Sequence, residues 1–384
     1  MKLCDENCCT GCTACVAVCP VKAITMEKDV TGFLYPVIDE KKCINCGACE
    51  KLTAKLQLHL EEDEHKHKPL YAYAVKNKDE NKRLHSQSGG LFKALSETII
   101  EMGGIVYGCV YGKNFRVEHA RVDTKDELYR FSGSKYVQSD MKNCMQNVVK
   151  DLQDDRIVLF SGTPCQVAGI ETFLRIKKVN TNNFYSCDFI CHGVPSPKVY
   201  ENYLEFMKEK FNSEIIDVNL RDKNAGGWHN HLETIKFKNG KSYTGKIYVD
   251  LFYSNLSLRR SCEHCLYTKT NRPSDITIAD CWGIEKIKPK LWDDNKGISL
   301  ALLQTDKGKK LFQQASGKLD VTELNVDQYV QPQLQHPSET PKQKRNFWKD
   351  YNKKSFKKIL KKYTQYGGLF FKTKRKILKL LKKW

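Results

Sequence analysis

No window of about 18 consecutive apolar residues occurs in the 384-residue chain, which excludes a membrane-spanning helix. Met1 to Glu6 has no basic segment leading into an apolar one, so a secretory leader is not expected. Acids are nearly absent at the other end. From Pro341 to Trp384 there are 17 Lys and Arg against one acid, Asp350. The first 340 residues carry only +3 of the total charge of +19, so a basic surface for nucleic acid is excluded from the body. What the chain has in excess is cysteine, 17 in all. Without export these imply a reducing cytoplasm, where thiolates hold metal rather than disulfides. Metal sites of that kind suffer in oxygen, which points to an anaerobe. At this length, with 40% apolar residues, the chain can bury a large core spread over two or three domains.

Seven of the cysteines fall in an internal repeat near the N-terminus. Cys9, Cys12, Cys15 and Cys19 read C-x2-C-x2-C-x3-C-P, closed by Pro20. That spacing wraps cubane iron–sulfur clusters, with the fourth cysteine ligating the other cluster of a pair. Zinc or disulfides are the alternative. The run Cys9-Thr10-Gly11-Cys12-Thr13-Ala14-Cys15 recurs 34 positions later as Cys43-Ile44-Asn45-Cys46-Gly47-Ala48-Cys49. Small residues between the ligands let the backbone approach a cluster. The second copy is incomplete, with Thr53-Ala54 where Cys-Pro is expected. The loss falls on the cluster held by Cys9, Cys12 and Cys15; the other keeps Cys43, Cys46, Cys49 and Cys19. Water, Cys4, Cys8 or His59 fills the gap, or the site holds three irons, or it is empty. Sequence leaves all of these open.

Residues 1–60 therefore form a bacterial-ferredoxin-like unit, and the polar stretch Glu61 to His67 reads as a linker. Beyond it, Tyr71–Val75, Ile105–Tyr111, Ile157–Phe160, Phe184–Ile190, Leu232–Lys238 and Ile276–Ala279 are predicted strands. Helical periodicity marks Leu91–Met102, Asp140–Leu152, Val167–Leu174 and Ser196–Phe211. The alternation predicts an α/β (mixed α+β) catalytic body in two parts, 70–155 and 156–330.

A basic tail over 340–384 follows. Phe356, Ile359, Leu360 and Tyr363 repeat at helical spacing, as do Ile377, Leu380, Leu381 and Trp384, with Gly367-Gly368 between. A basic helix with one apolar face can lie on an anionic membrane surface. The other reading is a solvated helix that packs on the body or stays disordered.

Four more cysteines stand out downstream. Cys165 sits in Ser161-Gly162-Thr163-Pro164-Cys165-Gln166 after a strand, Cys191 ends the next strand, and Cys262 and Cys265 form a Cys-x2-Cys. Alone, this set fits zinc as well as iron. Together with His85-Ser86-Gln87-Ser88-Gly89-Gly90, Ser132-Gly133-Ser134-Lys135-Tyr136, Cys191-His192-Gly193-Val194-Pro195-Ser196-Pro197 and Asn271-Arg272-Pro273-Ser274-Asp275-Ile276-Thr277, it carries a resemblance. The chain resembles the β subunits of coenzyme F420 hydrogenases and dehydrogenases, in the bacterial form with an N-terminal ferredoxin domain, over about residues 1–325.

That resemblance implies FAD beside a four-iron cluster held by Cys165, Cys191, Cys262 and Cys265, hence two to three [4Fe-4S] clusters in all. Ser86 to Gly90, with Ser88, Gly89 and Gly90 opening a helix, suits the FAD pyrophosphate; an ordinary N-cap turn is the rival. Ser134 and Lys135 lie in a second glycine-containing loop, where Lys135 is read as a phosphate or flavin contact or a plain surface lysine. Gly162 and Thr163 follow a strand at the carboxyl end, where α/β proteins place ligands. His192 is the candidate proton donor, with loop-shaping as its alternative role. Arg221, Lys223, Trp228 and His229 read as a solvated loop, with substrate contact as the other possibility. Cys109, Cys144, Cys187 and Cys281 read as packing residues.

The implied activity is an iron–sulfur flavoprotein oxidoreductase reduced by ferredoxin or another redox protein and acting on a small molecule. Relatives of this form are similar to members of surface-polysaccharide pathways, which implies a sugar intermediate. The alternatives are action on a deazaflavin-type coenzyme and a role in electron transfer as one subunit among several. Localisation is expected to be cytoplasmic, with the tail at the inner face of the membrane.

Overall fold

The computed structural model describes residues 3–62, 69–291, 294–325 and 331–367, side chains at 57–62 excepted. The N-terminal unit pairs β1 (Ile24–Lys28) with β2 (Leu34–Ile38) as an antiparallel hairpin. Asp29 closes its turn by accepting the amides of Thr31 and Phe33. Two helices of the repeat, Ala14–Val18 and Ala48–Glu62, complete it. The second helix runs through Glu61 and Glu62, so the expected linker begins inside it; residues 63–68 lie outside the described ones. A two-stranded ribbon is too small to stand alone. Leu3, Val18, Ile24 and Leu52 accordingly bury themselves with Met145, Val167, Ile170 and Phe173 of the body in one core.

The body's strands are β3 (Tyr71–Asn77), β4 (Ile105–Tyr111), β5 (Val117–Val122), β6 (Val158–Gly162), β7 (Phe184–Phe189), β8 (Ile215–Asn219), β9 (Glu233–Phe237), β10 (Ser242–Gly245), β11 (Ile276–Asp280), β12 (Ser299–Leu303) and β13 (Leu319–Leu324). Eight of them form one mixed sheet in the order β13-β3-β12-β11-β7-β6-β4-β5. The centre, β11, β7, β6 and β4, is parallel and the flanks are antiparallel. β6 and β7 therefore end side by side, and the segments bearing Cys165 and Cys191 leave from adjacent carboxyl ends. β8, β9 and β10 make a separate small antiparallel sheet. The expected mixed α/β architecture is present, but residues 70–155 and 156–330 share the large sheet through β3–β12 and β4–β6.

The tail behaves differently from its expected role. Helix Phe356–Tyr363 buries Ile359 and Leu360 together with Phe347 and Tyr351 against the body, in a core shared with helix Pro197–Phe211 and the small sheet. Its apolar face is covered by protein, so it has none to offer a membrane. Asp350, the lone acid, pairs with Lys354 and Lys362. The second segment, with Ile377, Leu380, Leu381 and Trp384, lies outside the described residues. Among those described, no helix is long and apolar enough to cross a membrane.

Candidate functional site

Each copy of the cysteine repeat turns on a glycine in the left-handed region, Gly11 at φ 70° and Gly47 at φ 71°. Only glycine takes that conformation at no steric cost, so the backbone can curl between ligands. Cys19 crosses to the second copy, where it lines one small cavity with Cys43, Cys46 and Cys49. Its sulfur already accepts the amide of Ala23 at 3.2 Å, the kind of N–H···S contact that tunes a cluster.

Cys9, Cys12 and Cys15 face the opposite way, into a cavity of about 330 Å3. The same cavity is lined by Cys165, Cys191, Cys262 and Cys265. Cys165 stands in the first turn of helix Pro164–Ile176, where Thr163 and Gln166 form a capping box. The Thr163 hydroxyl lies 3.1 Å from the Cys165 sulfur, and the Val194 amide donates to Cys262 at 3.5 Å. Thr10 lines the cavity beside Cys12 and Cys165, and Gly169 of the Cys165 helix lies against the Cys12 sulfur, so the two sets of thiols are immediate neighbours.

Burial pushes Cys165 up to about 11 and Cys262 up to about 12, and nearby thiolates push in the same direction. Such a set resists ionisation unless a cation compensates it, which bound iron does. Among the described residues no three His, Cys, Asp or Glu side chains converge on a single-ion site. The seven thiols line one common cavity instead.

Arg259 is fully buried between the ferredoxin unit and the body. Its guanidinium donates to the carbonyls of Cys9 and Leu34 and to Gln138 Oε1, and it lies 4.1 Å over the ring of Tyr35. No sequence pattern singles it out.

A second cavity, about 430 Å3, shares Thr163, Cys165, Cys191 and His192 with the first. It holds most residues expected at the flavin, but several have other duties. The amide of Gly89 donates to Ser299 Oγ at 2.9 Å and its carbonyl accepts from Asn77, while a Cβ there would strike Val75 and Ser299. Gly89 is thus fixed by close approach to the sheet. Ser88 donates to the Ile298 carbonyl at 2.6 Å. Gly90, at φ 86°, opens helix Leu91–Glu101 toward the cavity. Ser134 donates its amide to Gln87 Oε1. Lys135 corrects the expectation of an anion contact or a surface lysine: its ammonium donates to the carbonyls of Arg130, Ser132 and Gly133, leaving no hydrogen free. Gly162 lines the cavity, but the Thr163 amide is taken by Gln166.

Two cavity residues were missed. His119 stacks on Phe160, and its Nε2 bonds the Ser161 carbonyl at 3.1 Å, so Nε2 carries the proton and Nδ1 is a buried acceptor without partner. Burial lowers its pKa to about 4, keeping it neutral. Gln87 Nε2 is likewise buried without partner. Gln87 lay inside a quoted motif; His119 had no signal, because strand β5 had none.

His192 Nε2 lies 2.7 Å from Asn255 Oδ1, and the Asn255 amide is oriented by the Glu339 carbonyl. The proton is therefore on Nε2, and Nδ1 accepts from Gln333 at 3.4 Å. Burial lowers its pKa. A ring neutral and tied at both nitrogens fits the loop-shaping role better than proton donation. The loop read as solvated is largely buried. Arg221 pairs with Asp280 at 2.5 Å, and Trp228 stacks on Trp282 at 4.6 Å and donates to Asp280. Lys223 donates to the carbonyls of Arg83, Ser88 and Lys296, clamping the turn before Gly90. Of these, Arg221 lines the second cavity. Cys144, Cys187 and Cys281 are buried in packing positions, while Cys109 lines the second cavity.

Comparison with known proteins matches residues 155–327 to the C terminus of the coenzyme F420 hydrogenase/dehydrogenase beta subunit, and residues 8–52 to a 4Fe-4S dicluster domain. The chain is 22% identical over 339 residues to one of the subunits of the F420H2 dehydrogenase of Methanosarcina mazei, covering 83% of this chain and 85% of that protein. Over 60 residues it is 43% identical to an iron-sulfur protein of the CoB–CoM heterodisulfide reductase of Methanocaldococcus jannaschii, 12% of this chain and 9% of that protein. A chain of the F420-reducing [NiFe] hydrogenase complex from Methanosarcina barkeri superposes with a TM-score of 0.47 at 16% identity, covering 68% of this chain and 84% of that one. With a 4Fe-4S dicluster domain at residues 8–52 built onto its core, this chain carries over residues 155–327 the region described as the C terminus of the coenzyme F420 hydrogenase/dehydrogenase beta subunit.

Proposed function

We propose that this chain is a cytoplasmic iron–sulfur flavoprotein that takes electrons from ferredoxin and delivers them, through thiol-held [4Fe-4S] clusters and FAD, to a small molecule. A sugar intermediate of surface-polysaccharide synthesis is the substrate we assign to it. The observation that carries this reading is the shared wall of the two cavities. Cys165 and Cys191 face the space next to Cys12 on one side and the 430 Å3 cavity on the other. Clusters held by Cys19/Cys43/Cys46/Cys49, by Cys9/Cys12/Cys15 and by Cys165/Cys191/Cys262/Cys265 would then lie in series toward that cavity.

The cavity suits FAD on its own chemistry. First-turn amides of helix Leu91–Glu101 lack intrahelical acceptors and favour a pyrophosphate, with Lys93 beside them. The bare Nδ1 of His119 and the free Nε2 of Gln87 offer one acceptor and one donor to the polar edge of a flat ring. Bound flavin supplies the exchange between single electrons and a hydride that clusters cannot perform. The residues around it bind and orient; at the far end Arg221 and Trp282 would meet substrate. Residues 368–384 are what remains of the tail for contact with an anionic membrane surface.

The 22% identity to a component of an F420H2 dehydrogenase favours a second reading, in which the acceptor is a deazaflavin or the chain hands electrons to a partner protein. Anaerobic purification, flavin extraction and turnover assays without added subunits separate these. The first reading expects FAD in the preparation, its bleaching by reduced ferredoxin, and turnover of a nucleotide sugar or lipid-linked sugar. Turnover of a deazaflavin alone supports the second, and a flavin-free preparation with full cluster content contradicts both enzyme readings.

A further inference from the structure

The dicluster match begins at residue 8 and its second repeat lacks a closing cysteine, so one cluster has three evident ligands. Thr53, at the vacant position, lines the cavity of Cys9, Cys12 and Cys15. Its hydroxyl, however, is used within its own helix, donating to the carbonyls of Cys49 and Glu50 at 3.1 and 3.0 Å. Its hydroxyl proton is therefore held within the helix, and the residue brings no thiol to the cavity.

The segment ahead of the motif is folded back over the same cavity. The Asp5 carbonyl accepts the amides of both Cys8 and Cys9, at 3.0 and 2.8 Å, in a tight turn. Leu3 is buried in the core shared with the body, which pins the start of that turn. Between these two anchors Cys4 joins the cavity wall, hydrogen-bonds to the thiol of Cys9 and lies within the field of Cys12 and Cys15. Cys8, the other spare thiol, is exposed.

We infer that Cys4, from outside the repeat, is the fourth ligand of the cluster held by Cys9, Cys12 and Cys15, so that both ferredoxin clusters are complete cubanes. The inference rests on the iron–sulfur reading of this domain. On assembly the thiol proton of Cys4 is released and an Sγ–Fe bond forms, as for the other three thiols, without any change of redox state. The second cluster keeps its own four ligands and is unaffected. The threonine at residue 53 is then offset by a ligand arriving from the opposite direction along the chain.

The test compares the native chain with Cys4→Ala, Cys8→Ala and His59→Ala, each reconstituted anaerobically with iron and sulfide and read by iron and sulfide content and by EPR. In Cys4→Ala alone, roughly one to four irons per chain should be lost, with the signal of an oxidised three-iron cluster or loss of that site, while the remaining cubane signals persist. Adding Thr53→Cys to Cys4→Ala should restore iron and cubane signals, since residue 53 faces the same cavity. Full iron with unchanged cubane signals in Cys4→Ala overturns the inference, as does the same loss appearing in Cys8→Ala or His59→Ala instead. Absence of iron and sulfide from the native chain defeats the iron–sulfur reading itself, a distinct outcome visible before any variant is made.

Discussion

Arg259 reaches Cys9 across the seam between the body and the ferredoxin unit, its Nε donating to the Cys9 carbonyl at 2.7 Å and its Nη2 lying 3.5 Å from the Cys9 sulfur. The contact joins fold to function, because the same guanidinium closes the domain interface and places a positive charge beside a proposed ligand. Hydrogen bonds and positive charge at cluster sulfurs favour the reduced, more negative state.

Arg259→Met should therefore lower the potential of the cluster at Cys9 by about 60 mV, the one-electron equivalent of about 1.4 kcal/mol. It should also destabilise the chain by about 2–4 kcal/mol, because the carbonyls of Cys9 and Leu34 lose their donor. Redox titration followed by EPR and urea unfolding measure the two effects separately. An unchanged potential would show that the arginine serves packing alone.

Gly169 lies in helix Pro164–Ile176, and a Cβ there would come within 2.9 Å of Cys12 Cβ and 3.0 Å of its sulfur. Helix propensity favours alanine over glycine by about 1 kcal/mol, so the substitution does not threaten the helix. Gly169→Ala should nonetheless broaden or deplete the EPR signal of the first ferredoxin cluster, leaving the cluster at Cys19, Cys43, Cys46 and Cys49 intact. Equal loss from both would indicate general misfolding.

Arg272 and Asp188 form a fully buried ion pair at 3.2 Å, and Arg272 also donates to the carbonyls of Tyr267 and Phe189. It thereby ties the Cys265 loop to the strand leading to Cys191. Arg272→Met leaves the Asp188 carboxylate buried without its cation and should cost about 3–5 kcal/mol in urea unfolding. The double variant Asp188→Leu, Arg272→Met should recover part of the loss, since it removes the orphaned charge.

Glu171 gives the chain a stability that depends on pH. Burial and the neighbouring Asp275 raise its pKa from 4.5 to about 8, against the opposing pull of Lys307 and Arg175. Between those values the folded chain keeps a proton that the unfolded chain has lost. Stability from this group is therefore present below the unfolded value and declines as pH rises toward 8, by at most about 1.4 kcal/mol per unit. Glu171→Gln should flatten that decline when unfolding midpoints are compared across the window; an identical slope in both proteins would assign it elsewhere.

Much of this was legible in the sequence because ligand spacing is a local property. The repeat around Gly11 and Gly47 sets its own backbone geometry, and the strands before Cys165 and Cys191 were readable from β-branched and aromatic runs. Long-range partnerships were not. Arg259 meets Cys9 and Leu34 across separations of 250 and 225 residues, and nothing near Arg259 announces either. Lys135 looked like a ligand contact because its loop contains glycine, yet burial turns its ammonium onto that loop's own carbonyls. The amphipathic segment at Phe356 has one apolar face whether a bilayer or the body covers it, so periodicity could not choose. Strands β12 and β13 escaped; both pair with β3 from the far N-terminal side of the body, a partnership that no local pattern announces.

The central claim is that two sets of thiols hold clusters side by side across the 330 Å3 cavity, and it is most directly tested on fully reduced protein by EPR with iron counting. The native chain should hold about twelve irons and show spectra split by spin coupling between neighbouring clusters. Cys262→Ala, Cys265→Ala together should remove about four irons and abolish that splitting, leaving the ferredoxin signals. A native chain with about eight irons, or a double variant with unaltered iron and splitting, would contradict the account.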